Sequence, residues 1–251
     1  MRPLIVAHRG ESFIAPENTL AAINLAWANK VTAVEIDVQL TLDNQIVVIH
    51  DYNTQRLGNI NLVVKKSKLH DLKAIDVGSF KCAAYAGEQI PTLHEVLKTV
   101  PSNGKLIIEI KCGIEIIPYL VDEITNSALA SHQIEIISFN YQVLSKIRSL
   151  VPKHKLLWLL KLNYYFPSCL SGINKRRIAN KISKAQLDGI NVWAGKTINK
   201  KFVNYFKDKK LLVYTWTTND LSTAQKLSKL NVDAITTDRA AWLIDKMQKS
   251  N

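Results

Sequence analysis

Short apolar runs rich in β-branched residues alternate along this chain with longer stretches whose apolar positions recur every three or four residues. The runs at 4–7, 33–39, 106–110, 133–139, 156–160, 189–193, 211–216 and 234–237 predict strands. The stretches at 18–28, 93–98, 116–127, 141–150, 178–184, 201–206, 221–230 and 240–247 predict helices. Eight such alternating units predict the α/β class and a (β/α)8 TIM barrel. A doubly wound open sheet has the same alternation, and periodicity does not separate the two.

The rhythm breaks once, after the second strand. A further strand-like run, 45–49, follows the turn at Asp43-Asn44, and residues 52–91 read as turns with one short helix. That stretch is too long for a simple loop, so it predicts an insertion within a single domain spanning 1–251. Insertions on barrels commonly emerge at the active-site end and help enclose the substrate.

Composition narrows the class without naming a function. With 47% hydrophobic and 22% charged residues the chain reads as an ordinary globular protein. No apolar stretch approaches the roughly 20 residues that span a bilayer. The first apolar run is cut short by His8-Arg9, which is unlike a signal peptide, so the expected compartment is the cytoplasm. Cys82, Cys112 and Cys169 are odd in number and far apart, which predicts reduced thiols. The net charge of +12 favours anionic partners, either phosphate esters, anionic lipid surfaces or nucleic acid. The basic residues fall in short clusters such as Lys65-Lys66 and Lys175-Arg176-Arg177, which argues against specific nucleic-acid binding. The aromatic segment Tyr164-Tyr165-Phe166 follows the fifth barrel strand. There it would cover the pocket or make peripheral contact with an anionic membrane; packing against the insertion is the alternative.

Placed on a barrel, the polar residues fall together. His8 follows the first strand, Glu35 and Asp37 lie in the second, Glu109 is near the end of the third, and Trp216 ends the seventh. Barrel enzymes place their chemistry on that C-terminal rim. Strand alternation puts Glu35 and Asp37 on one face with Ile36 on the other, and treats Glu109 and Lys111 around Ile110 in the same way. Carboxylates inside apolar strands are costly unless paired. One arrangement that pairs them is a buried ion-pair network with Arg9 and Lys111. Another is one divalent cation held by Glu35, Asp37 and Glu109, and an all-oxygen donor set favours Mg²⁺ or Ca²⁺ over zinc. With such a cation, Arg9 and Lys111, the charge is one positive in excess, which suits a phosphodiester monoanion. Facing each other across a phosphate, His8 and His50 would serve as an acid–base pair.

Nine motifs then carry a resemblance. They are His8-Arg9-Gly10, Ala15-Pro16-Glu17-Asn18-Thr19, Glu35-Ile36-Asp37, His50-Asp51, Pro91-Thr92-Leu93, Glu109-Ile110-Lys111, Ser138-Phe139, Trp216-Thr217 and Thr237-Asp238-Arg239. In this order, over essentially the whole chain, they resemble the glycerophosphodiester phosphodiesterase family. The resemblance implies that Glu35, Asp37 and Glu109 hold the metal, His8 and His50 are catalytic, and Arg9 and Lys111 bind phosphate. It also implies that Glu17 and Asn18 help fix this cluster and that Trp216 lines a glycerol pocket. Pro16 and Asn18 are equally ordinary helix N-terminal residues, and a rim Trp also serves as core packing.

The expected reaction is metal-dependent hydrolysis of a glycerophosphodiester to sn-glycerol 3-phosphate and an alcohol. A lysophospholipase D acting on acylated substrates is the alternative among enzymes. A catalytically silent barrel and a basic nucleic-acid-binding protein are the alternatives outside them. The stretch 161–172 matches no motif of the family, which leaves the leaving group open.

Overall fold

The structure is a computed structural model that describes residues 2–58, 60–162, 168–195 and 198–249, with side chains of the helix beginning at Ser168 described from residue 175 onward. The strands are β1 (Leu4–His8), β2 (Ala33–Leu40), β3 (Ile46–Val48), β4 (Lys105–Ile110), β5 (Ile134–Ser138), β6 (Lys155–Leu160), β7 (Gly189–Trp193), β8 (Leu212–Trp216) and β9 (Ala234–Thr237). Eight of them pair in parallel in the order β1-β9-β8-β7-β6-β5-β4-β2, and β1 also pairs with β2. That last pairing closes the ring, so the chain is a (β/α)8 barrel and not an open sheet. β3 adds to β2 as an antiparallel hairpin, with Val38 opposite Val48 and Leu40 opposite Ile46.

The helices are α1 (Leu20–Ala28), α2 (Leu69–Lys73), α3 (Leu93–Leu97), α4 (Ile117–Thr125), α5 (Tyr141–Ile147), α6 (Ser168–Lys184), α7 (Lys200–Lys207), α8 (Leu221–Lys229) and α9 (Ala240–Lys249). Several starts follow from side-chain caps that satisfy otherwise orphaned N–H groups. Thr92 accepts from Glu95 N while the Glu95 carboxylate accepts from Thr92 N, closing a capping box on α3. Asn140, Asn199 and Asp220 cap α5, α7 and α8 with side-chain oxygens that accept from first-turn N–H groups.

Alternate strand residues build two layers of core. Outward-facing Val34, Ile36, Leu106, Ile108, Ile134, Ile136, Val192 and Ile235 pack against the helices. Inward-facing Val6, Ala33, Ile107, Ile137, Leu157, Leu159, Tyr214 and Ala234 fill the barrel. Burial on both faces is why these strands read as nearly continuous apolar runs. The N-terminal end of the barrel is closed by a polar plug, in which buried Glu135 lies 2.6 Å from Lys105 Nζ and 3.8 Å from Lys155 Nζ. Residues 52–91 bring their own apolar cluster, in which Leu57, Leu72, Ile75 and Val77 pack on Val47 and Ile49. Among the described residues no helix is long and apolar enough to cross a membrane.

Close strand approach sets one testable constraint. Gly189 opens β7 opposite Leu212, and a Cβ built there would stand 2.2 Å from the Leu212 carbonyl oxygen. Gly189→Ala is therefore expected to destabilise the fold by about 1–3 kcal/mol, the usual range for overpacking. A denaturant midpoint unchanged from the parent would show that β7 and β8 yield without cost.

Candidate active site

The register of the barrel strands assembles the acidic cluster. His8 lies beside Glu35 across β1 and β2, and Asp37 lies beside Glu109 across β2 and β4. All three carboxylates are buried and share the inward face, and their ligand atoms lie within 4.8 Å of one another. The ion-pair network also forms. Arg9 Nε is 3.0 Å from Asp37, and Lys111 Nζ is 2.7 Å from Glu109 and 3.5 Å from Asp37. It leaves the carboxylates incompletely satisfied, because Glu35 Oε1 and Asp37 Oδ1 are buried with no hydrogen-bond partner.

The electrostatics point the same way. Burial, reinforced by the Asp37 charge, pushes the Glu35 carboxyl up to about 8. Burial and Asp37 likewise push Glu109 upward. Burial opposes the charge on Lys111, but the facing Glu109 and Asp37 outweigh it and raise its pKa. Carboxylates crowded together with unpartnered oxygens fit a hard divalent cation, and the donor set is oxygen throughout.

Both imidazoles are held through Nδ1 by a carboxylate. His8 Nδ1 donates to Asp238 at 2.6 Å, and His50 Nδ1 donates to Asp51 at 2.7 Å. The His8 Nε2 lies 4.0 Å from Glu35. Burial lowers the His8 pKa, but the Asp238 hydrogen bond and the Glu35 charge outweigh it, so the net shift is upward. For His50 burial lowers the pKa, Asp37 raises it and Arg9 lowers it, and the net shift is downward. The His50 loop is anchored from β2, where the Gln39 amide donates to the carbonyls of Ile49, His50 and Asp51.

The Pro16–Thr19 turn divides its labour differently from a simple helix start. Thr19 caps α1 by accepting from Ala22 N, and α1 begins at Leu20 rather than at 18. Asn18 takes a left-handed backbone with φ of 58°. Its amide bonds Asp37 twice, donating to Oδ2 at 2.9 Å and accepting from the backbone N at 3.1 Å. Arg9 is also left-handed, with φ of 56°, a conformation that costs a non-glycine residue about 1–2 kcal/mol. In it the Arg9 backbone N donates to Glu35 at 3.1 Å and its guanidinium reaches Glu17 at 2.7 Å. Trp216 is half-buried, meets Phe139 edge-on at 5.7 Å and donates from Nε1 to the Asn191 carbonyl. Tyr164, Tyr165 and Phe166 lie outside the described residues.

The structure thus brings together His8, Arg9, Glu17, Asn18, Glu35, Asp37, His50, Glu109 and Lys111. Four further residues join them without having been singled out for a role in the sequence. Asp51 and Asp238 orient the histidines, and Gln39 anchors the His50 loop. Arg56 bonds both Glu17 at 2.7 Å and Asp51 at 2.7 Å. Asp238 is the middle residue of the Thr237-Asp238-Arg239 motif just after the last strand, a signal of sorts. Arg56 sits in the turn-rich segment with nothing to mark it.

Residues 8–241 match the Glycerophosphoryl diester phosphodiesterase family. The chain belongs to that family. It is 31% identical over 254 residues to the glycerophosphodiester phosphodiesterase of Caldanaerobacter subterraneus subsp. tengcongensis, covering 99% of each chain. It is 28% identical over 260 residues to that of Bacillus subtilis, covering 94% of this chain and 84% of the relative. Among solved structures it resembles an Oleispira antarctica phosphodiesterase in complex with the product sn-glycerol-3-phosphate. There the TM-score is 0.88 at 28% identity, with 98% of this chain and 97% of that chain covered.

Proposed function

We propose that this member of the family hydrolyses glycerophosphodiesters to sn-glycerol 3-phosphate and an alcohol in a reaction that requires one divalent cation, Mg²⁺ or Ca²⁺. One observation carries the reading. Buried oxygens of Glu35 and Asp37 that make no hydrogen bond lie in a carboxylate cluster flanked by two carboxylate-held imidazoles and two phosphate-compatible cations. The product-bound structural relative supports the choice of substrate. Residues 52–91 are read as an insertion within one catalytic unit.

Glu35, Asp37 and Glu109 would hold the cation, which when bound supplies a Lewis acid and a template for the phosphate. Arg9 and Lys111 bind the phosphoryl oxygens and oppose the charge that grows on them as the bond to the leaving group breaks. Arg9 is held for this by Glu17, and Asn18 fixes the Asp37 carboxylate. His50, whose pKa is lowered chiefly by burial, is suited to the base and would take the proton from the attacking water at Nε2. His8, whose pKa the Asp238 hydrogen bond and the Glu35 charge raise against burial, is suited to the acid and would give a proton from Nε2 to the departing alkoxide. Trp216 and Phe139 offer the apolar wall against which a glycerol backbone would rest.

Chelation followed by readdition tests the reading. Exhaustive treatment with a chelator is expected to abolish release of sn-glycerol 3-phosphate from glycerophosphocholine, and Mg²⁺ or Ca²⁺ to restore it. Full turnover by the stripped protein would remove the cation from the reaction.

A further inference from the structure

The 52–91 segment delivers one guanidinium to the rim of the active site. Arg56 donates from Nε to Asp51 Oδ2 at 2.7 Å, and from its two terminal nitrogens to the two oxygens of Glu17 at 2.7 and 2.8 Å. Each of these carboxylates also holds a residue of the site. Asp51 Oδ1 accepts from His50 Nδ1 at 2.7 Å, and Glu17 Oε1 accepts from the Arg9 guanidinium at 2.7 Å. Arg56 therefore stands directly behind both partners, although it lies 39 positions from Glu17 in the chain.

An arginine side chain that is 44% exposed ordinarily contributes little through its ion pairs. Two features set Arg56 apart. Its planar fork meets Glu17 with two hydrogen bonds and Asp51 with a third, which fixes the direction of both contacts. The turn that carries it is also fixed. Buried Thr54 accepts from Leu62 N at its hydroxyl and from Leu57 N and Gly58 N at its carbonyl, and Leu57 is buried in the apolar cluster of the segment. The two carboxylates respond to it. Burial opposes the charge on Glu17 and on Asp51, but the hydrogen bonds from Arg56, with Arg9 on one side and His50 on the other, outweigh burial and hold both carboxyls below their usual range.

We propose that Arg56 is a positioning residue for the reaction: its single guanidinium fixes both the carboxylate that aims His50 and the carboxylate that holds Arg9, so the proton acceptor and the phosphate ligand are set as one unit. This rests on the phosphodiesterase reading above and adds a residue to it. Arg56 acts through Asp51 and Glu17 and does not itself touch the reacting atoms. Without it, Glu17 keeps its charge with only Arg9 to satisfy it, which draws Arg9 off the phosphate and weakens substrate binding. Asp51 loses the brace on its outer oxygen, which lets the His50 ring swing and slows proton removal. The first loss falls on KM and the second on kcat.

The test is a pair of double-mutant cycles on the metal-supplemented full chain, read as kcat and KM on glycerophosphocholine and as calorimetric affinity for sn-glycerol 3-phosphate. Arg56→Gln is expected to lower kcat/KM by about 10–100-fold, the usual cost of removing a partner that orients a group at a metal site. The kcat part of that loss should vanish in an Asp51→Asn background. The KM part, with the loss of sn-glycerol 3-phosphate affinity, should vanish in a Glu17→Gln background. Arg56→Lys keeps the charge without the fork and should recover only part of the loss. Added guanidinium ion should rescue Arg56→Ala where sodium at equal ionic strength does not. An Arg56→Gln variant within about twofold of the parent, the usual error of additivity, overturns the proposal. Equal losses in every background overturn it too, because a merely structural role costs the same whichever carboxylate is present. A parent that binds sn-glycerol 3-phosphate and hydrolyses nothing would strike the phosphodiesterase reading instead, while the binding cycle still decides whether Arg56 acts through Glu17.

Discussion

Asp37→Asn is expected to lower turnover by more than about a hundredfold and to weaken binding of the divalent cation in parallel. Losing an outer hydrogen-bond partner of a metal ligand costs about 10–100-fold, and loss of a ligand's own charge should exceed that. Asp37 is the central group of the cluster, in register with Glu109 and two positions from Glu35 on the same strand face. Its Oδ1 makes no hydrogen bond and has only Lys111 Nζ at 3.5 Å, whereas Oδ2 accepts from Asn18. An amide keeps the shape and the bond to Asn18 yet removes the charge a cation would neutralise. Calorimetric titration with Mg²⁺ or Ca²⁺ beside a circular dichroism control separates this from misfolding. A folded variant that binds the cation and turns over like the parent would remove Asp37 from the metal site.

The histidines give the second large effect. His8→Ala and His50→Ala should each lower kcat by about 10²–10⁴-fold, the usual worth of a positioned acid or base. The pH profile then distinguishes their roles. A base must be unprotonated, so activity falls as pH drops through the His50 pKa, which is lowered and lies below 6.5. An acid must be protonated, so activity falls as pH rises through the His8 pKa, which is raised and lies above 6.5. The parent should show a bell with its maximum between these limits. His50→Ala should lose the acidic limb and His8→Ala the alkaline one. Asp238→Asn removes the carboxylate that supports the charged His8 ring, so it should move the alkaline limb to lower pH while leaving the acidic limb in place. Limbs lost in the opposite assignment would exchange the two roles.

Much of this molecule was legible before any coordinates. The barrel strands follow the apolar runs closely because each is buried on both faces, which leaves few polar interruptions to blur it. The pairing of Glu35 with Asp37, and of Glu109 with Lys111, follows from an alternation of period two within single strands. The helix expected from residue 18 begins at Leu20 because Thr19, not Asn18, caps it, which frees Asn18 for Asp37.

What the sequence by itself determined is therefore local: which segments are strands, which side chains share a face, and which chemistry those faces carry. Tertiary structure decided how distant pieces meet. Closure of the ring by the β1–β2 and β1–β9 pairings excluded the open sheet and set Asp238 against His8, 230 positions away. Folding of the 52–91 segment put Arg56 across Glu17 and Asp51. The physical reason is common to these cases. Periodicity records the neighbours a residue has along its own element, whereas barrel closure and loop packing are set by the summed burial of many elements, which no single stretch of sequence contains.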